Sequence, residues 1–302
     1  MSPPKPLQRA AVLVRENGGY VLDIQEIAVP EPKPWEVLVS LSASGVCGTD
    51  VSLASGHLGP CRAILGHEGV GRIAAVGAGV DPSTAKIGDR VGVSWVRDVC
   101  GKCSFCRVPG GETRCVEQLN SGRRRDGTFA EYCCVPGRYL LVLPGSLDVA
   151  DELVAPILCG GVTAYKALKS CDAVAGEWVA IFGAGGGVGG LGIQYARAMG
   201  FRVIAIDVGR DRKEECLAPA FDVVAPFGTV VCVGILPLHQ TMSLYPLKFI
   251  DMGIKLIGSL VGTWTDTLEA LGFVQRGVVK PAVWVIALDE LPDAPVERVC
   301  LS

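Results

Sequence analysis

The sequence predicts an α/β protein of two parts, a β-rich half followed by a half built on a doubly wound parallel sheet. Up to about residue 158, short β-branched runs alternate with Gly and Pro turns, a pattern typical of antiparallel strands. From about residue 159 to residue 280, the pattern changes to strand, Gly-rich turn, helix and strand, as in dinucleotide-binding folds. A chain of 302 residues is long enough to build two such cores.

Individual elements follow from the same patterns. The first half carries strand signals at residues 37–39, 70–76 and 90–93. In the second half, the alanine-rich apolar spacing of residues 190–199, closed by Gly200, predicts a packed helix. Strands are predicted on both sides of that helix and further along the chain, at residues 178–182 (a buried strand), 201–206, 229–233 and 254–258.

Composition and charge exclude several classes of partner. The net charge of −3 and the isoelectric point of about 5.7 argue against nucleic acid or an anionic membrane as partner. The Arg123–Arg124–Arg125 run is interpreted as a solvated loop. The N-terminal residues lack the apolar stretch of a secretory signal, so a cytoplasmic location is expected. In that reducing compartment, 13 cysteines indicate metal binding rather than disulfides.

The strongest chemical signal is a cluster of four cysteines, Cys100, Cys103, Cys106 and Cys115. Two-residue gaps let neighbouring thiolates converge on one ion from a tight loop. Four thiolates leave no open position on zinc, so the cluster predicts a structural zinc site.

A second group of ligand-type residues is dispersed along the chain. Cys47, His67 with Glu68, and Cys159 each lie beside glycines or at the end of a segment. Spacing alone cannot link residues so far apart. Taken singly, each cysteine is more often a small buried residue, and a lone histidine is usually structural.

A Gly-rich turn follows the strand at 178–182 and opens the next helix. Glycines there allow a tight turn and close approach of a pyrophosphate to the helix N-terminus. The predicted cofactor-binding residues of this turn are Gly183, Gly185, Gly186, Gly187, Val188 and Gly189. Asp207 ends the next strand, 24 positions after Gly183. A carboxylate there binds the ribose hydroxyls of NAD and disfavours the extra phosphate of NADP.

In combination, these motifs resemble the zinc-dependent medium-chain alcohol dehydrogenases, most closely the tetrameric microbial branch. The resemblance is carried by residues 45–50, 66–71, 100–115 and 183–198, and by Ala155–Cys159 and Tyr165–Lys169. It implies a GroES-like β-barrel catalytic domain at residues 1–158, completed by residues 281–302. It further implies a Rossmann NAD-binding domain at residues 159–280.

The resemblance also implies residue roles. Cys47, His67 and Cys159 would hold a catalytic zinc and leave its fourth position for the alcohol oxygen. Thr49 would take the alcohol proton, and Asp50 would fix the tautomer of His67. Glu68 would lie behind the zinc and assist ligand exchange. Trp95 would line the substrate pocket and favour small primary alcohols or aldehydes. The implied cofactors are two zinc ions and NAD, and the implied assembly is a homotetramer or homodimer.

The sequence departs from the family pattern in four places. Cys115 comes one residue later than usual, and Ser52 stands where many relatives have a proton-relaying histidine. Residues 217–229 run directly into a later strand, with only a strand remnant at residues 221–225. Three residues between that remnant and residue 229 are too few for a parallel crossover. We therefore expect an internal deletion that removes the third and fourth strands of the sheet, and a shortened C-terminus after residue 292.

Three functions compete at this point. The first is NAD-dependent oxidation of a primary alcohol to an aldehyde, or the reverse. The second is a catalytically impaired zinc-binding remnant with a broken cofactor domain, which would keep zinc but not bind NAD. The third is reduction of enone or quinone double bonds on the same fold. That third class generally lacks both zinc sites, so the two cysteine motifs count against it.

Overall fold

The structure, a computed structural model, describes residues 6–16, 18–207, 217–234 and 244–294, except for the side chains of residues 217–219. Its elements confirm the predicted class, a β-rich half followed by parallel strands that alternate with helices. No helix in these ranges has both the length and the apolar character needed to cross a membrane.

The β-rich half is organised around a five-stranded antiparallel sheet. Its strand order is β8-β3-β4-β5-β9, with bounds Tyr132–Pro136, Glu36–Ser44, Gly69–Val76, Arg90–Val93 and Leu141–Val142. Strands β1 (Leu7–Glu16) and β2 (Gly19–Ala28) form a hairpin. Strands β6 (Val96–Asp98) and β7 (Leu119–Asn120) form a second pair. The short helix α1 (Gly48–Ala54) follows β3.

The predicted barrel is not closed in the described part of the chain. The β1–β2 hairpin pairs with the rest of the half through isolated bridges, Ala10 to Ala130 and Val12 to Ile64. Packing also joins them, because Ala10 and Ala11 are buried against Leu53, Leu65 and Phe129. The turn at Leu288–Asp293 returns to this core through the buried side chain of Leu291.

The second half alternates helices with two pairs of parallel strands. Strand β10 (Trp178–Phe182) pairs with β11 (Arg202–Ile206), and β12 (Thr229–Cys232) pairs with β13 (Lys255–Gly258). The helices are α2 (Asp151–Val154), α3 (Gly160–Ser170), α4 (Gly187–Ala198), α5 (Leu217–Val223), α6 (Pro246–Met252) and α7 (Trp264–Gln275). The predicted strand remnant at residues 221–225 is wrong, because residues 221–223 form the end of α5.

The two strand pairs do not join into one sheet. Among the described residues, no strand is hydrogen-bonded between β10 and β12, as the expected deletion requires. The prediction that residues 178–182 form a buried strand is therefore only half right. Trp178 is 62% exposed, and Ile204 on the neighbouring strand is 47% exposed. Apolar strand residues stay accessible because the flanking strands are missing.

The largest core lies between the halves, around Ile157, Leu158, Tyr165, Tyr195 and Leu271. Nine of its twenty buried members in the described ranges lie on helices α3, α4 and α7, and most of the others lie in residues 141–158. This core anchors α3 and α4, the helices that begin beside Cys159 and the Gly-rich turn.

Helix α7 carries a buried carboxylate that we expect to make its stability depend on pH. Asp266 accepts hydrogen bonds from the Thr263 N–H and hydroxyl and lies 2.9 Å from Lys169 Nζ and 3.1 Å from Lys166 Nζ. Burial alone would raise the pKa of Asp266, but Lys169 and Thr263 outweigh it and lower that pKa to about 2.

Asp266→Asn should therefore lower the free energy of unfolding at pH 7 by about 2 kcal/mol. Because the pKa of Asp266 is depressed in the fold, the difference from wild type should shrink as the pH falls from about 4 to about 2. Urea unfolding at several pH values measures it. Asp172→Asn, which removes an exposed pair with Lys255, is the control and should change little. A difference that does not vary with pH would refute the assignment.

Candidate active site and metal centres

Three separate segments bring one group of ligand atoms together. Cys47 is the N-cap of α1, His67 and Glu68 immediately precede β4, and Cys159 lies directly before α3. One ligand atom from each of the four lies within 4.8 Å of the others. Cys47, His67 and Glu68 are 8%, 0% and 2% exposed, so the group is shielded from bulk water. The fold thus brings together four residues whose proximity could not be predicted from their spacing alone.

Asp50 connects the segments on the far side of His67. Its Oδ1 accepts the N–H of Gly66 and the Nδ1–H of His67, both at 3.0 Å, and its Oδ2 accepts the N–H of Cys47 at 3.1 Å. The bond to Nδ1 places the free lone pair of His67 on Nε2. That Nε2 is buried and has no hydrogen-bond partner among the described residues. A buried polar atom without a partner is costly, and a metal ion would satisfy it.

The charges of the group also fit a cation. A hydrogen bond from the Cys159 thiol lowers the pKa of Cys47, and the same contact raises the pKa of Cys159. Burial raises the pKa of Glu68, and the negative charge of Cys47 raises it further. A divalent ion would balance both thiolates. Two thiolates and one imidazole are a donor set that suits zinc and leaves its fourth position open.

Removal of the Asp50 carboxylate should weaken the metal centre without removing a ligand. In Asp50→Asn, the amide cannot accept all three of these N–H bonds, and it lacks the negative charge that holds His67. We expect the zinc affinity of this site to fall about 10- to 100-fold. Competition with a chromophoric chelator measures it. Asp126→Asn, which removes an exposed pair with Arg62, is the matched control. Unchanged zinc affinity in Asp50→Asn would contradict the role given to Asp50.

Glu68 and Trp95 close the site from other directions. The Glu68 carboxyl lies against Gly45, where an added Cβ would be 1.9 Å from Oε2, so only glycine fits there. The rings of Trp95 and His67 meet edge to face, 5.5 Å apart at 79°. Thr49 lies beside the ligands, since its N–H donates to Cys47 Sγ at 3.5 Å.

The four-cysteine loop, residues 100–115, forms the second group. Ligand atoms of Cys100, Cys103, Cys106 and Cys115 lie within 4.8 Å of one another. Backbone N–H groups point at the sulfurs, as from Cys100 to Cys115 Sγ at 3.2 Å. The Cys106 N–H lowers the pKa of Cys103 to about 6. The 3₁₀ segment Glu112–Arg114 lies directly before Cys115.

This loop also touches the second half. Arg114 Nη2 donates to the carbonyl of Gly258 at 2.7 Å, at the end of β13. Just outside the loop, the ring of Tyr139 packs on that of Trp264, with 4.7 Å between centroids. The loop therefore supports the segment that follows β13.

The Gly-rich turn lies where a nucleotide would need it. Strands β10 and β11 are parallel, so Gly183 and Asp207 follow their carboxyl ends at the same edge. A Cβ on Gly189 would lie 2.1 Å from the Gly183 carbonyl oxygen, so the helix can begin this close only with glycine. Gly186, Gly187 and Val188 open α4, and the N–H of Gly185 donates to Asp207 Oδ2 at 2.5 Å. The turn leaves the N-terminal N–H groups of a 12-residue helix for a phosphate.

The family resemblance also implies that residues 233–235 and 259–261 flank the nicotinamide, and the structure describes these segments only in part. Val233 and Gly234 follow β12, whereas Ile235 lies outside the described residues. After β13, Val261 has a φ of 41°, which is strained for a β-branched residue, and the Ser259 hydroxyl is buried without a partner among the described residues. Strain and an unsatisfied hydroxyl are features of ligand-binding surfaces.

A metal centre of catalytic type beside a dinucleotide-binding turn defines the class as a metal-dependent dehydrogenase. Residues 33–145 match the alcohol dehydrogenase GroES-like domain, as predicted for the first half. An alcohol dehydrogenase of Geobacillus stearothermophilus is 37% identical over 312 residues, covering 89% of this chain and 90% of that protein. One from Schizosaccharomyces pombe is 36% identical over 329 residues, covering 95% and 93%.

A solved structure agrees with these relatives. The cobalt- and zinc-bound thermostable alcohol dehydrogenase from Pyrobaculum aerophilum is 25% identical with a TM-score of 0.80, over 97% of this chain and 96% of that chain. The chain belongs to the zinc-dependent medium-chain alcohol dehydrogenase family.

Sequence reasoning missed two residues near the site. Gly45 was recognised only as part of a motif, and its role follows from the close approach of Glu68. Arg97 gave no signal at all, because a single arginine beside a short strand is usually exposed. In the fold it is 3% exposed.

Proposed function

We propose that this chain is a zinc-dependent alcohol dehydrogenase that oxidises a small primary alcohol to an aldehyde, or catalyses the reverse, with NAD. The observation that carries the proposal is the buried group of Cys47, His67 and Cys159, in which His67 Nε2 has no other partner. Zinc held by these three residues would supply a Lewis acid that lowers the pKa of the alcohol, and bound NAD would supply the hydride acceptor.

The side chains around the ligands have separate tasks. Asp50 holds His67 in the tautomer that presents Nε2. The Thr49 hydroxyl, beside Cys47 in the first turn of α1, takes the alcohol proton. Glu68, whose pKa is raised by burial, would offer an alternative oxygen to a bound metal when ligands exchange. Trp95 narrows the pocket against His67 and favours small alcohols.

The proton must then reach solvent without a histidine at position 52. Near neutral pH, the hydroxyl of Ser52 cannot act as a base. The neighbouring His57 is exposed and its Nδ1 lies 3.1 Å from the Ser55 hydroxyl. Ser55 in turn donates to the carbonyl of Ser52 at 3.3 Å. Release of the proton through water is the simplest route from this arrangement.

Asp207 supports NAD rather than NADP. Its carboxylate, held by Gly185, lies at the end of β11 where the adenosine ribose binds in dinucleotide folds. Asp207→Ser should weaken NADH binding about tenfold and reduce the preference over NADPH, because a charged hydrogen-bond acceptor is lost and repulsion of the phosphate is relieved. Fluorescence titration with both dinucleotides measures this. Asp222→Ser, on α5, is the control. If wild type and Asp207→Ser showed the same preference for NADH over NADPH, the role given to Asp207 would be contradicted.

The direct test of the proposed function is an assay of NAD reduction with ethanol and benzyl alcohol. Zinc-loaded wild type should reduce NAD with both alcohols, and chelation of zinc should stop the reaction. Absence of turnover in protein that contains two zinc ions per chain and binds NADH would refute alcohol oxidation as its activity.

A second candidate follows from the gap between β10 and β12. With no strand hydrogen-bonded between them in the described residues, the half that holds NAD lacks its usual continuous sheet. A zinc-binding remnant with impaired catalysis is the function that this gap favours. It differs from the first in one measurable respect, since it would keep both zinc ions and fail to bind NADH.

Three further expectations belong with the proposal. The domain bounds at residues 158 and 280, the cytoplasmic location and assembly into a homotetramer or homodimer stay predictions. The return of Leu291 to the core of the first half supports the idea that residues 281–302 complete that domain.

A further inference from the structure

Arg97 is a buried cation on β6, and in the described part of the chain it forms no ion pair. Its Nη2 has no hydrogen-bond partner among the described residues. Burial lowers the pKa of Arg97, which shows that the site disfavours its charge. A residue so costly to bury needs a reason beyond packing.

The first group of bonds from Arg97 leads to Trp95. Arg97 Nε donates to the Ser121 hydroxyl at 3.1 Å, and that hydroxyl donates to the Ser94 carbonyl at 2.7 Å. The Ser121 N–H donates to the Trp95 carbonyl at 3.0 Å. Ser121, itself 0% exposed, therefore fixes the backbone on both sides of the Cα that carries the indole.

The second group leads to His67. Arg97 Nη1 donates to the carbonyls of Asp126 at 2.7 Å and Cys134 at 3.2 Å. Residues 127–129 then run along the segment before His67. Gly127 N donates to Ile64 O at 2.7 Å, Phe129 N to Leu65 O at 2.9 Å, and Thr128 N to Gly66 O at 3.1 Å.

The two branches meet again where the rings of Trp95 and His67 are in edge-to-face contact. One guanidinium thus holds both backbones whose side chains form this contact. The planar guanidinium of Arg97 carries several N–H donors in fixed directions, so it can donate hydrogen bonds to both branches at once. A lysine ammonium cannot do this with the same geometry.

We propose that Arg97 is a positioning residue that sets the orientation of His67 relative to Trp95, and thereby the size of alcohol that the site accepts. Arg97 touches neither the metal position nor the substrate and acts through Ser121 and Asp126. The part that concerns alcohol size rests on the proposed function. The part that concerns ring geometry does not.

The ring geometry can be measured without turnover. The chain has three histidines, so the imidazole signals in ¹H–¹⁵N spectra of zinc-loaded protein are few. The indole of Trp95 shifts the ring protons of His67 by its ring current, and His57 serves as an internal reference. We expect Arg97→Met and Ser121→Ala to move the His67 signals and leave those of His57 in place. Arg97→Lys should recover part of the wild-type position.

The matched control is Arg62→Met. Arg62 is an exposed arginine that pairs with the Asp126 side chain on the same loop and takes no part in either branch. It should leave the His67 signals unchanged. In turnover, Arg97→Met and Ser121→Ala should change the ratio of kcat/KM for benzyl alcohol to that for ethanol by roughly tenfold, and Arg62→Met should not.

The outcomes separate the two claims. Folded Arg97→Met with wild-type His67 signals and a wild-type alcohol ratio would overturn the proposal. If Arg97→Met does not fold, the spectrum of Ser121→Ala is the test. Wild-type His67 signals in Ser121→Ala would show that Arg97 has only a structural role. If wild type shows no turnover, the proposed function fails, and the His67 signals still test the positioning role.

Discussion

Replacement of Cys159 by alanine should lower the zinc content of the chain from two ions to one and reduce alcohol oxidation by roughly 10³-fold or more. Cys159 supplies one of the two sulfurs of the buried group, and its side chain is hydrogen-bonded to that of Cys47. Without it, His67 and Cys47 would have to hold the ion with Glu68, a ligand set with one thiolate fewer. Lewis-acid activation of the alcohol would then be lost.

The chain provides a close control for that experiment. Cys171 lies at the opposite end of α3 from Cys159, where its thiol contacts the Leu168 carbonyl, and it belongs to neither ligand group. Cys171→Ala should retain two zinc ions and the activity of wild type. Two zinc ions in Cys159→Ala, or equal activity in the two variants, would contradict the assignment of Cys159 as a ligand.

Replacement of Cys115 by serine should remove the other zinc ion and destabilise the whole protein. Binding of zinc to a four-thiolate site is worth about 10–16 kcal/mol in small zinc domains, so its loss costs more than one side chain. Cys115 is 1% exposed and its Sγ accepts the N–H of Cys100. We expect a lower melting temperature and rapid proteolysis between residues 100 and 115.

The same variant should also weaken NADH binding. Arg114 on this loop donates to Gly258, and the neighbouring Tyr139 packs on Trp264, so the loop supports the segment after β13. Cys61→Ala, at a cysteine outside both ligand groups, is the control. A Cys115→Ser protein with one zinc ion, wild-type melting and wild-type NADH affinity would show that the loop is dispensable.

Motifs with short spacing could be predicted from the sequence, because their geometry is local. The three cysteines of residues 100–106 lie in one loop, and the turn from Gly183 to Gly189 needs its glycines for one close approach. Cys47 and Cys159 are different. Only tertiary structure brings them together, so resemblance to a family was needed to name them as ligands before the fold was known.

Long-range packing set the limit of prediction. Residues 178–182 look like a buried strand because their apolar pattern is that of an interior strand, yet Trp178 is exposed, and β11 is the only described strand that pairs with β10. The sequence predicts a strand remnant at residues 221–225, but residues 221–223 end a helix. Arg97 could not be foreseen, since its importance lies in bonds to residues 121, 126 and 134.

The interrupted sheet is the feature on which the function depends most. Apart from the gap between the two strand pairs, each half of the candidate cofactor site is supported by one of the pairs. Asp207 and the Gly-rich turn lie on the β10–β11 pair, and Val261 follows the β12–β13 pair. Strands β10 and β11 pack in the largest core with α3, α4 and α7, whereas β12 and β13 pack with α5, α6 and Phe182 of β10 in a separate cluster.

Fluorescence titration of purified protein with NADH, together with determination of its zinc content, shows whether this chain binds both zinc and the dinucleotide. We expect two zinc ions per chain and saturable NADH binding, which would mean that the helices keep the two strand pairs in place for the cofactor. Two zinc ions per chain without NADH binding would contradict it and would establish a zinc-binding protein that has lost the dehydrogenase reaction.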